Sequence, residues 1–316
     1  MLSIEICAGA GGQALGLEQA GFEHMALVEV DPLACATLRN NRPGWNVIEG
    51  DVKLFSAGNY RGIDLLAGGV PCPPFSVAGK QLGHDDERDL FPEALRLVGE
   101  CNPKAVMLEN VRGIFHPKFH GYREHIKNCL ERLGYACVWH TVNVQDFGVP
   151  QHRIRSILIA LKPKFINRFS WPVGGNPSLP TIGELLYPDM ASGGWEGAAD
   201  WASRADGIAP TIVGGSKKHG GADLGPTRAR LAWLKLGVNG AGVADAPPRP
   251  GFDGNPQLTV NMVAKVQGFS PEWRFVGRKT PAYRQVGNAF PPPVAKAMGI
   301  AVYEALSAKK HVSAEV

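Results

Sequence analysis

Short apolar runs alternate with amphipathic stretches over residues 1 to about 160, and this alternation constrains the fold more than any other feature of the sequence. A chain with this pattern forms a largely parallel sheet covered by helices, which is an α/β fold. Each run is short and apolar, as expected of a strand that is buried on both faces. The predicted strands are Ile4–Ile6, Met25–Val30, Asn46–Ile48, Ile63–Leu66 and Ala105–Leu108.

Helices are predicted where end signals accompany a helical period. Asp31 followed by Pro32 has the character of an N-cap and a first-turn proline, so a helix should run from there to about Leu38. A second helix should cover Tyr122–Leu133 and end at glycine. Residues 291 to about 309 form a third, amphipathic helix, which we expect to return to the first domain.

The chain is long enough for one large domain and a smaller one. Residues 171 to 281 are rich in glycine and proline and show little helical periodicity, which predicts a loop-rich domain. We therefore expect a catalytic domain at 1–165, a smaller domain at 166–281 and a C-terminal segment at 282–316 that rejoins the first domain.

Cysteine spacing and apolar content exclude several protein classes. The six cysteines are scattered and form no C-x-x-C pair, which argues against a disulfide framework and a zinc site, so no metal is expected. The sequence shows no apolar run of membrane-spanning length and no secretion signal, so a cytoplasmic protein without a membrane partner is expected. A formal charge of +4 permits nucleic-acid binding without requiring it.

A glycine-rich turn, Gly9–Gly12, follows the first predicted strand and precedes a helix. Backbone N–H groups of such a turn can face a polar cofactor, and Glu29 and Asp51, near the ends of the next two strands, could bind its hydroxyl groups. These groups should converge, because ligands of open α/β sheets bind at the carboxyl ends of the strands. The spacing Gly9-x-Gly11-x-x-Ala14 also fits the dinucleotide fingerprint of oxidoreductases, and a simple packing turn is a further alternative.

Cys72 lies between two prolines just beyond the fourth strand. A cysteine nucleophile must be a thiolate, and nearby cations or helix-end dipoles favour that form. Glu109 ends the fifth strand, which should place its carboxylate beside the end of the fourth. Cysteine and glutamate at adjacent strand ends form a candidate catalytic set.

Arginines that could complete this set occur in Pro150–Ile159, which is predicted to be a strand. Alternation would place Gln151, Arg153 and Arg155 on one face of it. Taken alone, two arginines in this spacing are more typical of a solvated sheet edge.

The order of these motifs resembles that of the cytosine-5 DNA methyltransferases over nearly the whole chain. The matching elements are residues 5–12, Pro71-Cys72 with Phe75-Ser76, Glu109-Asn110-Val111, Gln151-x-Arg153-x-Arg155, Gln267-Gly268-Phe269 and Tyr283–Ala289. Two positions depart from the family pattern, Cys7 where phenylalanine is more usual and Pro73 where glutamine is common. The resemblance implies a Rossmann-like S-adenosylmethionine-dependent methyltransferase sheet with a smaller target-recognition domain.

The resemblance also implies roles for individual residues. Cys72 would add to C6 of a cytosine flipped out of the double helix, Glu109 would bind N3 and the amino group, Arg155 would bind O2, and Arg153 would position the ring or the thiolate. The S-adenosylmethionine contacts would be Cys7, Ala8, Gly9, Gly11, Gly12, Glu29, Val30, Asp51, Val52, Pro71 and Asn288. The contacts to double-stranded DNA or the target base would be Ser76, Gln81, Asn110, Gln151, Lys217, Lys218 and Arg228.

The segment Ser76–Leu90 is interpreted as a loop that closes on DNA, with an ordinary surface loop as the alternative. Three other functions are considered: a nicotinamide-dependent oxidoreductase, an RNA cytosine-5 methyltransferase and an inactive DNA-binding relative. The oxidoreductase would leave Cys72, Glu109 and Arg155 without a role. A monomer is expected, with a restriction endonuclease as a companion that acts separately.

Overall fold

The structure is a computed structural model that describes residues 1–71, 89–175, 178–215 and 221–307. It contains one seven-stranded sheet with strand order β3-β2-β1-β4-β5-β7-β6. The strands are β1 Leu2–Ile6, β2 Glu23–Glu29, β3 Val47–Glu49, β4 Leu65–Gly69, β5 Ala105–Val111, β6 Ala136–Asn143 and β7 Ile154–Leu161.

Eleven α-helices are described, and several short 3-10 turns lie between the elements. The helices are α1 Gly12–Gln19, α2 Pro32–Asn41, α3 Phe91–Cys101, α4 His120–Arg132, α5 Pro163–Ile166, α6 Ile182–Ala191, α7 Ala198–Arg204, α8 Thr227–Lys235, α9 Val260–Val266, α10 Lys279–Asn288 and α11 Pro292–Leu306. Within the described ranges, no helix has the length and apolar character needed to cross a bilayer.

The predicted α/β fold is confirmed. All five predicted strands are present with shifted ends, and β1 to β5 pair in parallel. β7 pairs with β5 in the antiparallel direction, and β6 was not predicted. The strand predicted from Pro150 begins only at Ile154, so the alternation argument for Gln151 and Arg153 is wrong.

The predicted helix signals are also present. Asp31 caps α2, because its Oδ1 accepts hydrogen bonds from the backbone of Leu33 and Ala34 at 2.9 and 3.4 Å. Gly134, two residues beyond α4, has φ of +83°, a conformation in which glycine avoids the strain of a side chain.

The strand order reverses between β1 and β4, and this reversal places a crevice at their carboxyl ends. The two strands approach closely here. A Cβ atom at Gly68 would lie 2.7 Å from the Ile6 side chain and 2.9 Å from its carbonyl oxygen. Glycine at this position therefore permits the strand pair that forms the crevice.

The chain forms two compact units. Unit 1 comprises Met1–Val142, Ile154–Val173 and Val294–Val316, and it contains the sheet. Its helix α11 packs on α1, because Gly299 lies against Leu17 and Ala20. Unit 2 comprises Asn143–Arg153 and Gly174–Pro293. These bounds differ from those expected from the sequence, and the division into catalytic and target-recognition functions stays a prediction.

Candidate active site

The glycine-rich turn lies at the carboxyl end of β1 in unit 1. Cys7, Gly9 and Gly11 all have positive φ, at +51°, +54° and +87°. For glycine this conformation is free of strain, whereas for Cys7 it is unusual. A Cβ atom built at Gly9 would meet nothing within 4 Å, so the turn borders open space where a ligand could approach the backbone.

Glu29, at the end of β2, holds this turn in place. Its Oε2 accepts a hydrogen bond from the Gly9 N–H at 2.8 Å, and its Oε1 accepts from Val30 and Asp31 at 2.9 and 2.8 Å. A carboxylate has about four acceptor positions, so capacity remains for a ligand hydroxyl group. Beside it, the side chain of Val30 is 64 % exposed and offers an apolar surface.

Several acids surround Cys7 in this crevice. Burial raises the pKa of the Cys7 thiol, and the negative charges of Glu29 and Asp51 raise it further. Cys7 is therefore a neutral thiol at physiological pH. Asp51 lies two residues beyond β3 rather than at its end, and its Oδ1 accepts a hydrogen bond from Lys53 N at 2.9 Å. Glu29 and Asp51, the two acids identified in the sequence, therefore both lie near the glycine turn.

Glu5 is a functional candidate that the sequence analysis did not single out. Its side chain is 1 % exposed in the middle of β1, and Oε2 has no hydrogen-bond partner among the described residues. Burial, followed by the charge of Glu29, raises the pKa of Glu5 well above its ordinary value. Gln13, at the start of α1, is also buried with both amide atoms unpaired within the described structure. An acid between two isoleucines was the signal available in the sequence.

Glu109 and Arg155 form a nearly buried ion pair. Arg155 Nε lies 2.9 Å from Glu109 Oε1, and each side chain is 12 % exposed. The antiparallel register pairs Val111 with Arg155, which puts Glu109 and Arg155 diagonally on one face of the sheet. Burial lowers the pKa of Arg155 and the charge of Glu109 opposes that shift; an arginine side chain remains protonated.

The Glu109 carboxylate lies at the end of β4, near the glycine turn. A Cβ atom at Gly69 would be 3.5 Å from Glu109 Oε2 and 3.9 Å from the Cys7 carbonyl oxygen. Asn110 is buried and supports the adjacent backbone, because its Nδ2 donates to the Val70 carbonyl at 3.4 Å. The chain from β4 therefore passes this carboxylate immediately before Pro71.

Gln151 and Arg153 belong to unit 2, whereas Arg155 belongs to unit 1. Arg153 is buried and donates hydrogen bonds to the carbonyl groups of Ile212, Gly287 and Ala289. These contacts differ from the contact with the ring or thiolate that the resemblance implies, and the catalytic role of Arg153 stays a prediction.

Several expected residues lie outside the described part of the chain: Cys72, Ser76, Gln81, Lys217 and Lys218, together with residues 76–88 of the expected loop. Arg228 is exposed in α8. Asn288, expected to bind the cofactor, is exposed at the end of α10 and donates from Nδ2 to the Gly215 carbonyl at 3.3 Å. Its cofactor contact also stays a prediction.

Comparison with known proteins shows one family over most of the chain. The family model described as C-5 cytosine-specific DNA methylase matches residues 1–218 and 228–304. The Type II methyltransferase M.NaeI of Lentzea aerocolonigenes is 57% identical over 310 residues, which is 96% of this chain and 75% of that protein. The Type II methyltransferase M.NgoMIV of Neisseria gonorrhoeae is 54% identical over 307 residues, covering 96% of this chain and 97% of that one.

Solved structures of more distant proteins share the fold. A protein described as a DNA modification methyltransferase from an Escherichia coli prophage has a TM-score of 0.68 at 23% identity, covering 97% of this chain and 99% of that chain. The Entamoeba histolytica methyltransferase EhMeth has a TM-score of 0.66 at 15% identity, with the same two coverages. At these identities the likeness concerns the fold alone.

Proposed function

The chain belongs to the C-5 cytosine-specific DNA methylases, and on that basis we propose that it transfers a methyl group from S-adenosylmethionine to C5 of a cytosine flipped out of double-stranded DNA, with Cys72 as the nucleophile. The observation that carries this proposal is the Glu109–Arg155 ion pair, which lies beside the end of β4 just before Pro71. A charged pair in this position can bind the polar edge of a pyrimidine.

The crevice fits the proposed cofactor. The open face of the Gly9 turn can receive its polar amino-acid portion, Glu29 can accept from the ribose hydroxyls, and Val30 offers apolar surface to the adenine. When bound, S-adenosylmethionine supplies an electrophilic methyl group. Family membership favours this cofactor over the nicotinamide-dependent alternative, whose dinucleotide the same crevice could also fit.

The chemical step needs a cysteine that attacks C6 of the cytosine and polar groups that stabilise the charge that develops on the ring. The Cys72 sulfur forms a bond to C6, and the electron pair of the C5–C6 double bond becomes available at C5. A proton between Glu109 and N3 neutralises the negative charge that the attack places on the ring, while Glu109 also accepts from the amino group and Arg155 donates to O2. C5 would then form a bond to the methyl carbon as the bond from that carbon to the donor sulfur breaks, its electrons remaining on the leaving thioether. A base removes the proton from C5, the C5–C6 double bond re-forms, and the bond to Cys72 breaks.

A stacked cytosine cannot reach such a site, so the base must leave the double helix. Base flipping costs a few kcal/mol, which contacts elsewhere on the DNA must offset. Arg228 is exposed in unit 2 and is available for phosphate contact. The sequence specificity of the reaction would come from this unit.

Methyl transfer from labelled S-adenosylmethionine tests the activity. We expect incorporation into double-stranded DNA and none into folded RNA; the opposite result would favour the RNA methyltransferase. Cys72→Ala should abolish transfer, whereas Cys129→Ala, which removes another free cysteine, should leave it unchanged. Methyl transfer by the Cys72→Ala variant at the wild-type rate would refute the covalent scheme.

The covalent bond between Cys72 and C6 can be trapped on DNA that contains 5-fluorocytosine. A base cannot remove fluorine from C5 as it removes a proton, so the bond to Cys72 does not break. Wild type and Cys129→Ala should form a denaturation-resistant protein–DNA complex, and Cys72→Ala should form none.

The Type II relatives favour a role in a bacterial restriction–modification system, with the chain acting in the cytoplasm beside a separate endonuclease. Bisulfite sequencing of DNA from expressing cells should reveal one methylated sequence. DNA with that methylated sequence should resist cleavage by the companion endonuclease.

A further inference from the structure

Three polar side chains in unit 2 form a buried hydrogen-bond network. Gln151, Arg153 and Gln267 are each at most 1 % exposed. Gln151 Nε2 donates to Gln267 Oε1 at 2.5 Å. Gln267 Nε2 in turn donates to the carbonyl groups of Val286 and Ala289 at 3.3 and 2.8 Å. A buried guanidinium is unfavourable unless its donors are satisfied, and both terminal nitrogens of Arg153 donate to backbone carbonyls.

The network holds the backbone of Ile212 from both sides. Arg153 Nη1 donates to the Ile212 carbonyl at 2.7 Å, and the Ile212 N–H donates to Gln151 Oε1 at 2.9 Å. Arg153 Nη2 donates to the carbonyls of Gly287 and Ala289, each at 3.1 Å. One side chain therefore joins Ile212 to the end of α10.

The residues after Ile212 lie directly on α10. A Cβ atom at Gly287 would be 2.4 Å from Gly214 N, so the two backbones are in contact. The Tyr283 hydroxyl donates to the Val213 carbonyl at 3.1 Å, and Asn288 Nδ2 donates to the Gly215 carbonyl. We name Ile212–Gly215 the anchored segment.

The outer side of the anchored segment is accessible. Val213 is 44 % exposed, and Gly215 and the neighbouring Asn288 are exposed as well. Gly215 has no side chain at this exposed position, so a nucleic-acid backbone can approach it closely, and the exposed Asn288 amide can contact phosphate or a base edge. In the proposed target-recognition unit, such a rigid surface is suited to DNA.

We infer that Arg153 is a positioning residue that fixes the anchored segment for DNA binding and does not touch the reacting cytosine. This inference rests on the proposed function. Both terminal nitrogens of Arg153 bind backbone carbonyls, and its exposed fraction of 1 % leaves no surface for a ligand. Arg153 therefore differs from Arg155, whose Nε pairs with the Glu109 carboxylate and whose Nη1 donates to the Ile154 carbonyl at 2.9 Å.

Lysine substitutions at the two arginines provide a matched test. Lysine keeps the charge but cannot place donors on three carbonyls as the planar guanidinium does. For Arg153→Lys we expect DNA affinity to fall about tenfold or more, with the single-turnover rate at saturating DNA within about threefold of wild type. For Arg155→Lys we expect the single-turnover rate to fall about 100-fold and DNA affinity to change by less than about threefold.

Circular dichroism and urea unfolding of the whole chain serve as the control for folding, and both variants should keep the wild-type spectrum and a cooperative transition. Tyr283→Phe is a milder second variant, because it removes one hydrogen bond to the anchored segment and keeps the buried ring. It should weaken DNA binding about two- to tenfold without changing the single-turnover rate.

A fall in the single-turnover rate of Arg153→Lys at saturating DNA, with DNA affinity unchanged, would overturn the inference and place Arg153 at the reacting atoms. Unchanged DNA affinity in Tyr283→Phe would also contradict it. Absence of DNA methylation by the wild-type protein would instead reject the proposed function.

Discussion

Three buried ionisable side chains, Arg153, Arg155 and Glu5, differ in the groups that surround them. Arg155 is compensated by Glu109, and Arg153 by backbone carbonyl groups. Among the described residues no cation compensates Glu5, and burial raises its pKa, so its proton is retained at a pH where an exposed glutamate would have lost it. Glu5 therefore acts as a neutral acid inside the sheet.

The raised pKa of Glu5 predicts a pH-dependent effect of Glu5→Gln on stability. Below the unfolded-state pKa both states carry the proton, so Glu5 has no effect on stability that depends on pH. Above it the unfolded chain ionises while the folded chain keeps its proton, and wild type loses stability until the folded-state pKa is reached. Glu5→Gln, which mimics the neutral acid, avoids this loss.

Urea unfolding at about pH 5 and about pH 8 measures the effect. The free energy of unfolding of Glu5→Gln minus that of wild type should be larger at the higher pH. Glu23→Gln, an exposed position on β2, is the control and should show no such trend. An equal difference at both pH values would mean that Glu5 is ionised in the folded protein.

At the scale of the elements, local capping signals define helix starts in both units. Asp31 begins α2 with a side-chain cap, and Thr181 begins α6 with a reciprocal pair of bonds to Glu184. Thr181 Oγ1 accepts from Glu184 N at 3.1 Å, and Glu184 Oε2 accepts from Thr181 N at 2.7 Å. Both donors would otherwise lack a partner within the helix.

Thr181→Ala should lower the free energy of unfolding by about 1 kcal/mol, because the cap of α6 is lost. Chemical unfolding followed by circular dichroism measures this change. Ser178→Ala, at an exposed position three residues earlier, should have no comparable effect. Equal stability of Thr181→Ala and wild type would show that α6 depends on tertiary packing rather than on its cap.

At the scale of the whole molecule, each compact unit has its own interior. Unit 1 contains the sheet and the proposed cofactor crevice. In unit 2, α6 and α7 meet at Gly183, where a Cβ atom would be 2.0 Å from the Ala202 carbonyl oxygen. A side chain at this position would force the two helices apart.

Gly183→Ala should destabilise unit 2 by about 1–3 kcal/mol and weaken DNA binding. S-adenosylmethionine affinity, measured by titration calorimetry, should remain within about twofold of wild type, because all its proposed contacts except Asn288 belong to unit 1. Gly121→Ala is a matched control in α4, since a Cβ atom there meets nothing within 4 Å. A parallel loss of cofactor affinity in Gly183→Ala would show that the units do not act independently.

The five parallel strands, the start of α2 and the family membership were all predictable, because they depend on local patterns. Apolar runs mark buried strands, Asp31-Pro32 marks a helix start, and the order of motifs marks the family. The antiparallel direction of β7 was not predictable from apolar alternation, which carries no information on strand direction. The late start of β7 at Ile154 likewise depends on contacts of Gln151 and Arg153 with residues far along the chain.

Local sequence identified the glycine turn, Glu29 and Glu109 as candidate site residues because they lie at the ends of strands that apolar runs predict, and it identified Arg155 through its place in the family motif; their roles stay predictions. Only the packed chain decided which groups bind one another: Arg155 pairs with Glu109 across β5 and β7, whereas Arg153, two positions earlier, holds Ile212. The reason is physical. Residues distant in sequence determine how deeply a polar side chain is buried and which groups it can hydrogen-bond. Burial and hydrogen bonding in turn determine whether that side chain takes part in catalysis, binds a ligand or supports the backbone.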